Sequence, residues 1–276
     1  MAALPIPFKL RNDPFQNALS NTSKLVFNRL IHFPSLPSTN VYLRQLAKRG
    51  EPEGLIILAD EQTHGIGRLK RNWYSPSGGL YVSLLVRPLT ITAQDTPLIT
   101  LTTGLTIAKL FETAFGLKPS LKWPNDVLLN NQKVAGILVE SSFIGDTIEY
   151  AVIGIGINVN TPLRNFPESL NETATTLFET LGCQVELPRL FEYLISQLEF
   201  WYLKLRDKGF KAIESHYRRL CTTLGKHVII DMGEYQLTGL AIGLETDGSL
   251  VIQTTEGHQK IHSGDVVSSK SRNTIE

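Results

Sequence analysis

Apolar residues recur at helical spacing in four parts of the chain. In the segment STNVYLRQLAKRG they follow Ser38 or Thr39, either of which can cap the helix, and Gly50 ends the run. Three further helices are predicted, over residues 97–116, 188–209 and 210–220. The first of these is apolar almost throughout, whereas the second begins at a proline and is amphipathic.

Short apolar runs bounded by turn residues predict strands elsewhere. LIILA and GGLYVSLLVRP are two such runs, and residues 121–160 predict successive strands with turns at Asn130–Asn131 and Gly145–Asp146. Consecutive hairpins pair antiparallel, so a doubly wound nucleotide-binding fold is disfavoured. The pattern predicts an α+β fold with a mixed, largely antiparallel sheet flanked by helices.

The pattern changes again after Leu220, where short strands alternate with Met-Gly, Asp-Gly and Glu-Gly turns. This pattern is typical of a small β-barrel of about 50 residues. We therefore expect three parts: an N-terminal arm over 1–30 with one short helix, a main domain over 31–221 and a β-barrel domain over 222–276.

Composition excludes several classes of protein. Apolar residues make up 42% of the chain and charged residues 19%, as in globular proteins with a full core, and the net charge of +1 provides no global attraction to nucleic acid or membrane. The two cysteines have no CxxC spacing, which argues against a disulfide scaffold or structural zinc. No secretory signal or membrane-spanning run is evident, so we expect a cytoplasmic protein.

The segment EQTHGIGRLKRNW places three cations on a glycine-rich stretch. Gly65 and Gly67 are expected to adopt positive φ and to let the backbone approach a ligand, while Arg68, Lys70 and Arg71 can neutralise phosphate. We predict a loop that is mobile when empty and closes over an anionic ligand. A solvated basic turn is an equally simple interpretation of this segment alone.

Three further segments carry candidate chemistry. In LKWPND, Pro124 restrains the chain next to Lys122 and Asp126, although a buried Trp with a partly exposed Lys is the favoured interpretation of the segment taken alone. QKVAGILVES carries Lys133 ahead of an Ala-Gly pair that permits close backbone approach. GIGINVN lacks the capped helix of a dinucleotide fingerprint, so its glycines either serve a ligand or make room for packing.

Taken together and in this order, STN, EQTHGIGRLKRNWYSPSGGLYVS, LKWPNDVLLNNQKVAGILVE and GIGINVN resemble the biotin protein ligases, also called biotin–[acetyl-CoA-carboxylase] ligases. The resemblance covers about residues 31–267, and KWPND followed by KVAGILVE is its most specific part. It implies a class II synthetase-like core with a C-terminal SH3-like β-barrel, of the monofunctional type without an N-terminal DNA-binding domain.

The resemblance implies an activity and a set of site residues. In that family biotin and ATP give biotinyl-5′-AMP and pyrophosphate, and a lysine of a biotin carboxyl carrier domain then displaces AMP. By resemblance, the catalytic residues are Arg68, Lys122, Lys133 and Asp126. The biotin-binding residues are Ser38, Thr39, Asn40, Gln62, Gly65, Gly67, Lys122 and Gly136. The nucleotide-binding residues are Ile66, Arg68, Arg71, Trp73, Asn125, Lys133 and Asn158.

The chain departs from the family pattern in the glycine-rich loop. That loop commonly reads Gly-Arg-Gly-Arg, whereas Ile66 occupies the first arginine position here and Lys70 replaces a frequent glycine. One guanidinium is therefore missing, which puts the retention of the adenylate in doubt but leaves the reaction class unchanged.

The resemblance also implies substrates and partners: ATP and biotin, Mg²⁺ with ligands that the sequence does not identify, a biotin carboxyl carrier protein, and a possible homodimer. Three alternatives stay open on the sequence. They are a lipoate-type ligase or octanoyltransferase, for which neither cysteine is well placed, a biotin-sensing regulator, disfavoured by the short segment ahead of residue 31, and a non-enzymatic binding protein. We expect no contact with DNA or membrane.

Overall fold

The structure is a computed structural model that describes residues 13–22, 25–88 and 90–270. Much of the predicted N-terminal arm, residues 1–12, 23 and 24, lies outside the described residues, as do Leu89 and the predicted C-terminal end, residues 271–276. Within the described part, the chain folds into one large sheet with helices on both faces, followed by one small sheet.

Six α-helices are described: α1 (Pro14–Ser20), α2 (Thr39–Lys48), α3 (Pro97–Phe115), α4 (Leu177–Leu181), α5 (Leu187–Lys208) and α6 (Glu214–Leu220). The strands of the large sheet are β1 (Arg29–Leu36), β2 (Leu55–Gln62), β3 (Leu80–Val86), β4 (Ser120–Lys122), β5 (Asp126–Leu129), β6 (Gln132–Ile144) and β7 (Thr147–Ile157). Those of the small sheet are β8 (His227–Asp231), β9 (Gln236–Leu244), β10 (Leu250–Thr254), β11 (Gly257–Ile261) and β12 (Asp265–Lys270).

The large sheet has the order β1-β2-β3-β7-β6-β5-β4. Strands β1 and β2 are parallel, and every other neighbouring pair is antiparallel, which confirms the predicted mixed, largely antiparallel sheet. The predicted turns at 130–131 and 145–146 join β5 to β6 and β6 to β7. Strand β1 and helix α4 were not predicted, because neither has a clear run of alternating or helically spaced apolar residues.

Helices cover both faces of this sheet. Ile56 and Leu58 pack on the side of α3 and α5, whereas the alternate residues Ile57 and Ala59 pack on the side of α2. Burial on two faces explains why β2 reads as a continuous apolar run. The polar N-terminus of α2 therefore lies against the sheet, and this placement builds part of the site described below.

Helix α3 qualifies the expectation about membrane spans. Among the described residues it is the one helix long and apolar enough to cross a bilayer, with a mean hydropathy of 1.2. However, 67% of that stretch is buried inside the protein, as expected for a core helix.

The helix predicted over 210–220 is divided in the structure. A 3-10 helix, Gly209–Ala212, follows α5, and α6 begins only at Glu214. The side chains of Phe210 and Ile213 are both buried, and their packing into the core turns the chain between the two segments.

The small sheet is antiparallel with the order β11-β10-β9-β8-β12, in agreement with the predicted C-terminal all-β unit. Its apolar face joins the main core, since Val228, Ile230 and Ile252 belong to the same buried cluster as α3 and α5. The boundary expected at residues 221 and 222 falls between the two sheets and stays a prediction.

Helix α1 is held to the sheet by a buried histidine. His32 on β1 contacts Asp13, the N-cap residue of α1, through Nδ1 at 3.1 Å, and contacts Asp60 on β2 through Nε2 at 2.8 Å. The Phe15 ring packs edge-on against the imidazole. Burial lowers the pKa of His32, but the hydrogen bonds and charges of Asp60 and Asp13 outweigh it and raise the pKa above its ordinary value.

This arrangement predicts a stability that falls at alkaline pH. Because the folded-state pKa of His32 is raised, protonated His32 stabilises the fold fully below its unfolded pKa of about 6.5, and this contribution is lost as pH rises through the folded pKa. Urea unfolding between about pH 6 and about pH 9 should show a decline that His32→Gln removes. An equal decline in both proteins would contradict the prediction.

Candidate active site

One cavity of about 580 Å³ lies between the large sheet, the glycine-rich loop and strand β12. It collects nearly all the site residues predicted from the sequence. Those that line it are Ser38, Thr39, Asn40, Gln62, Ile66, Gly67, Arg68, Arg71, Trp73, Lys122, Asn125, Asp126, Lys133, Gly136 and Asn158. Gly65 is the exception, and its position is described below.

One part of the cavity is polar and uncharged, and it is built at the start of α2. Ser38 caps the helix by accepting a hydrogen bond from the Val41 N–H at 3.4 Å. The Thr39 N–H donates to Gln62 Oε1 at 2.9 Å. Gln62 Nε2 in turn donates to Ser75 Oγ at 2.9 Å, so both ends of the Gln62 amide are oriented.

The Asn40 side chain fills space that is open because residue 154 is a glycine. A Cβ atom at Gly154 would lie 2.2 Å from Asn40 Oδ1, a distance that real side chains do not reach. Asn40 Nδ2 donates to the Leu138 carbonyl at 3.2 Å and to Glu140 Oε2 at 3.1 Å. The glycines of GIGINVN were expected either to serve a ligand or to make room for packing, and this geometry supports the second interpretation.

The glycine-rich loop differs from the prediction in its backbone. Neither Gly65 nor Gly67 has a positive φ; the positive values fall at Leu69 (51°) and Lys70 (59°). Gly65 does not line the cavity. A Cβ there would lie 2.4 Å from the Trp73 carbonyl oxygen and 2.6 Å from Ser75 Oγ. Gly65 is therefore required by packing at the base of the loop, and its expected approach to a ligand stays a prediction.

The two arginines of this loop contact the C-terminal sheet. Arg68 Nε lies 3.2 Å and Arg71 Nη1 2.7 Å from the carboxylate of Asp265, at the start of β12. Burial lowers the pKa of the Arg68 guanidinium, and the Asp265 charge opposes that effect. The Arg71 side chain is 56% exposed, so its ion pair contributes less than about 1 kcal/mol.

Lys133 and Asp126 form an ion pair in the cavity wall, with Nζ 2.5 Å from Oδ1. The same ammonium lies 5.1 Å from the centre of the Trp73 ring, within cation–π range. Two glycines surround this cluster: a Cβ at Gly136 would lie 3.0 Å from the Trp73 ring, and one at Gly156 would lie 2.4 Å from Trp73 Nε1.

Lys122 lies at the end of β4, and the residue that follows it is anchored to the C-terminal unit. The Trp123 N–H donates to Thr223 Oγ1 at 3.0 Å, and the buried Trp123 indole donates to the Gly248 carbonyl at 3.1 Å. The Trp123–Pro124 peptide is cis. Within the described part of the chain, Lys122 has no ion pair or hydrogen-bond partner, whereas Arg68, Arg71 and Lys133 all pair with aspartates. Lys122 is therefore the uncompensated positive charge of this cavity.

The amides of Asn125 and Asn158 are partly occupied by the backbone. Asn125 Nδ2 donates to the Ile137 carbonyl at 3.1 Å, and Asn158 Nδ2 donates to the Thr175 carbonyl at 3.1 Å. These bonds close the wall of the cavity. A direct role in nucleotide binding stays a prediction for both residues.

Several lining residues were not predicted. Five lie within the motifs quoted above but were not singled out: Asn72, Tyr74, Leu128, Asn131 and Leu138. The others come from distant segments with no local pattern that would have identified them: Phe166, Leu170, Glu172, Thr173, Ala174, Asp265, Val266 and Val267. Tyr74 and Phe166 pack edge to face at 5.2 Å, and the Tyr74 hydroxyl donates to the Asn165 carbonyl. This contact joins the end of the glycine-rich loop to the segment that follows β7.

The donor set of the cavity does not build a resident metal site. Over residues 13–22, 25–88 and 90–270, no three His, Cys, Asp or Glu side chains are grouped so that they could hold an ion. The Asp126 carboxylate is already engaged by Lys133. Cys183 is exposed, Cys221 is buried, and both are free thiols.

Fold and cavity together define a class of protein: a mixed-sheet enzyme core with a C-terminal all-β unit, in which one cavity combines a neutral polar part with four cations. Residues 32–158 match the Biotin/lipoate A/B protein ligase family, and residues 223–268 match the Biotin protein ligase C terminal domain. The chain belongs to the biotin protein ligase family.

Individual relatives agree with this assignment. The bifunctional ligase/repressor BirA of Bacillus subtilis is 33% identical over 88% of this chain and 75% of its own length. The biotin–[acetyl-CoA-carboxylase] ligase of Paracoccus denitrificans is 30% identical over 83% of this chain and 96% of its own. The biotin protein ligase of Aquifex aeolicus, solved in complex with biotin and ATP, superposes with a TM-score of 0.74 at 33% identity, over 89% of this chain and all of that one.

Proposed function

We propose that this chain activates biotin with ATP as biotinyl-5′-AMP and transfers the biotinyl group to a lysine of the biotin carboxyl carrier protein of acetyl-CoA carboxylase. One observation carries the proposal. A single cavity holds a neutral polar part suited to an uncharged ring, four cations suited to a carboxylate and phosphates, and Lys122 as a cation without a partner among the described residues.

The chemistry of the first step explains the cations. When a carboxylate attacks an α-phosphate, two anions must approach each other, and a fixed positive charge lowers the energy of that approach. Lys122 is next to the anchored Trp123 and needs to break no ion pair among the described residues to supply this charge. We assign Lys122 to the reacting carboxyl and α-phosphate, and Arg68 and Arg71 to the phosphates.

In the second step, a neutral lysine of the carrier protein attacks the activated carbonyl and AMP leaves. Asp126 would orient that amine and accept its proton, while its ion pair holds Lys133 beside the nucleotide. Trp73 provides the aromatic surface next to Lys133.

Mg²⁺ enters this proposal only as the ion carried by the ATP phosphates. Mg²⁺ is commonly held by phosphates and one or two carboxylates, and the residues that the structure describes form no carboxylate cluster in the cavity. No step is therefore assigned to a protein-bound metal. We further propose a cytoplasmic location, on the basis of the two free cysteines, and a homodimer, as the family resemblance implies.

The test is ATP–pyrophosphate exchange with biotin, lipoate or octanoate as the acid. We expect exchange with biotin alone, followed by transfer of label from biotin to a purified carrier domain. Exchange that depends on lipoate or octanoate instead would overturn the proposal in favour of a related acyl ligase.

The missing guanidinium of the loop gives a further prediction. Ile66 is 42% exposed and lines the cavity, so an arginine there can reach a phosphate. Ile66→Arg should slow release of biotinyl-5′-AMP about fivefold, since a partly exposed ion pair contributes up to about 1 kcal/mol. Leu69→Arg adds the same charge to the same loop outside the cavity and is the matched control. Unchanged or faster release from Ile66→Arg would refute the idea.

A further inference from the structure

Beneath the neutral part of the cavity lies a hydroxyl group that does not line it. Ser83 on β3 has no exposed surface, and its Oγ lies 2.7 Å from Thr39 Oγ1 and 2.6 Å from Asn40 Oδ1. Ser83 stands directly opposite Gly154 in the β3–β7 pair, and Gly154 is the glycine that makes room for Asn40. The Asn40 amide therefore packs against both Ser83 and Gly154.

The orientation of that amide follows from its partners. The Leu138 carbonyl and the Glu140 carboxylate can only accept hydrogen bonds, so Asn40 Nδ2 must face them. Asn40 Oδ1 therefore faces Ser83. An amide oxygen cannot donate, so the single Ser83 hydroxyl hydrogen is directed to Asn40 Oδ1.

The same reasoning orients Thr39. Because the Ser83 hydrogen is used by Asn40, the single Thr39 hydroxyl hydrogen goes to Ser83 Oγ at 2.7 Å or to Gln62 Oε1 at 3.1 Å, and in either case it is taken within the protein. The Thr39 N–H already donates to Gln62 Oε1. Both Thr39 Oγ1 and Asn40 Oδ1 consequently keep lone pairs, and no hydrogen, for a ligand in the cavity.

We propose that Ser83 is a positioning residue that sets Thr39 Oγ1 and Asn40 Oδ1 as paired acceptors for the two N–H groups of a cyclic urea. The inference rests on the proposed function, since the urea ring is that of biotin. Gln62 Nε2 has a second hydrogen beyond the one given to Ser75, which suits the urea carbonyl. Ser83 itself touches no substrate and acts through Thr39 and Asn40.

Removing the hydroxyl should change biotin binding selectively. In Ser83→Ala, Asn40 Oδ1 loses its donor and both oxygens can turn, so the KM for biotin in the exchange assay should rise about tenfold. The KM for ATP and the kcat at saturating biotin should stay within about twofold, because the charged part of the cavity does not contact Ser83. Ser83→Cys keeps the volume and offers a weak donor, so its KM should lie between the two.

A matched control separates positioning from stability. Ser249, in the turn between β9 and β10, also has no exposed surface and donates a 2.6 Å hydrogen bond to Asp247. Ser249→Ala should lower the thermal midpoint and leave the KM for biotin unchanged. A Ser83→Ala enzyme with wild-type KM for biotin, or with KM values for biotin and ATP raised alike, would overturn the inference. Lack of biotin-dependent exchange in the wild-type enzyme would instead refute the proposed function.

Discussion

Replacing Lys122 with glutamine should lower biotin-dependent ATP–pyrophosphate exchange by about 100- to 1,000-fold, the usual cost of one preorganised charged or hydrogen-bonding group in a closed site. The effect is expected mainly in kcat, since the charge is needed most as the two anions approach. Lys122 has no ionic partner among the described residues, so no aspartate is left unpaired by the change, and the loss reports on the ligand alone.

The control for this variant is Lys118→Gln, which removes an exposed lysine four positions earlier and outside the cavity. It should retain wild-type exchange and the same salt dependence. If Lys118→Gln lost as much activity as Lys122→Gln, general charge would explain the result. If Lys122→Gln kept full kcat, the assignment of Lys122 to the reacting carboxyl and phosphate would be wrong.

The local patterns of the sequence predicted most elements of the fold. Helices α3 and α5 and the hairpins of β5, β6 and β7 combine a clear apolar period with a proline, an Asn-Asn pair or a glycine at the ends. Strand β1 was missed because His32 interrupts its apolar run, and the reason for that histidine is tertiary: it binds Asp13 and Asp60, which the sequence places 19 and 28 positions away. Periodicity contains no information on such a contact.

In the candidate site, too, local patterns were predictable from the sequence and long-range contacts were not. Motifs identified residues that reach the cavity directly, because their chemistry is local to each segment. The motifs could not predict the contacts of those residues. Asp265 pairs with Arg68, which is 197 positions away in the sequence, and Ser83 on β3 hydrogen-bonds to Asn40 on α2. The positive φ angles expected at Gly65 and Gly67 were wrong for a related reason. At Gly65 the need for glycine is tertiary, since the atoms that exclude a side chain there belong to Ser75 and Trp73.

The second large effect is expected at Gly156, where neighbouring atoms leave no room for a side chain. Gly156 lies on β7 beneath the Trp73 indole, and a Cβ there would lie 2.4 Å from Trp73 Nε1 and 2.7 Å from Cε2. The ring cannot yield freely, because Lys133 lies over it and Gly136 lies beside it. A methyl group at position 156 must therefore displace the indole, and with it the end of the glycine-rich loop.

Gly156→Ala should raise the KM for ATP by at least about tenfold, as expected when a cation–π partner and a loop anchor are both displaced. Gly243→Ala is the matched control, since Gly243 is also a strand glycine and an added Cβ would meet only an Arg218 nitrogen at 3.9 Å. Trp73→Phe removes the indole atoms that collide, so Gly156→Ala should cost clearly less in that background than in the wild-type enzyme. Additive losses in the double variant would show that the two residues do not act through this contact.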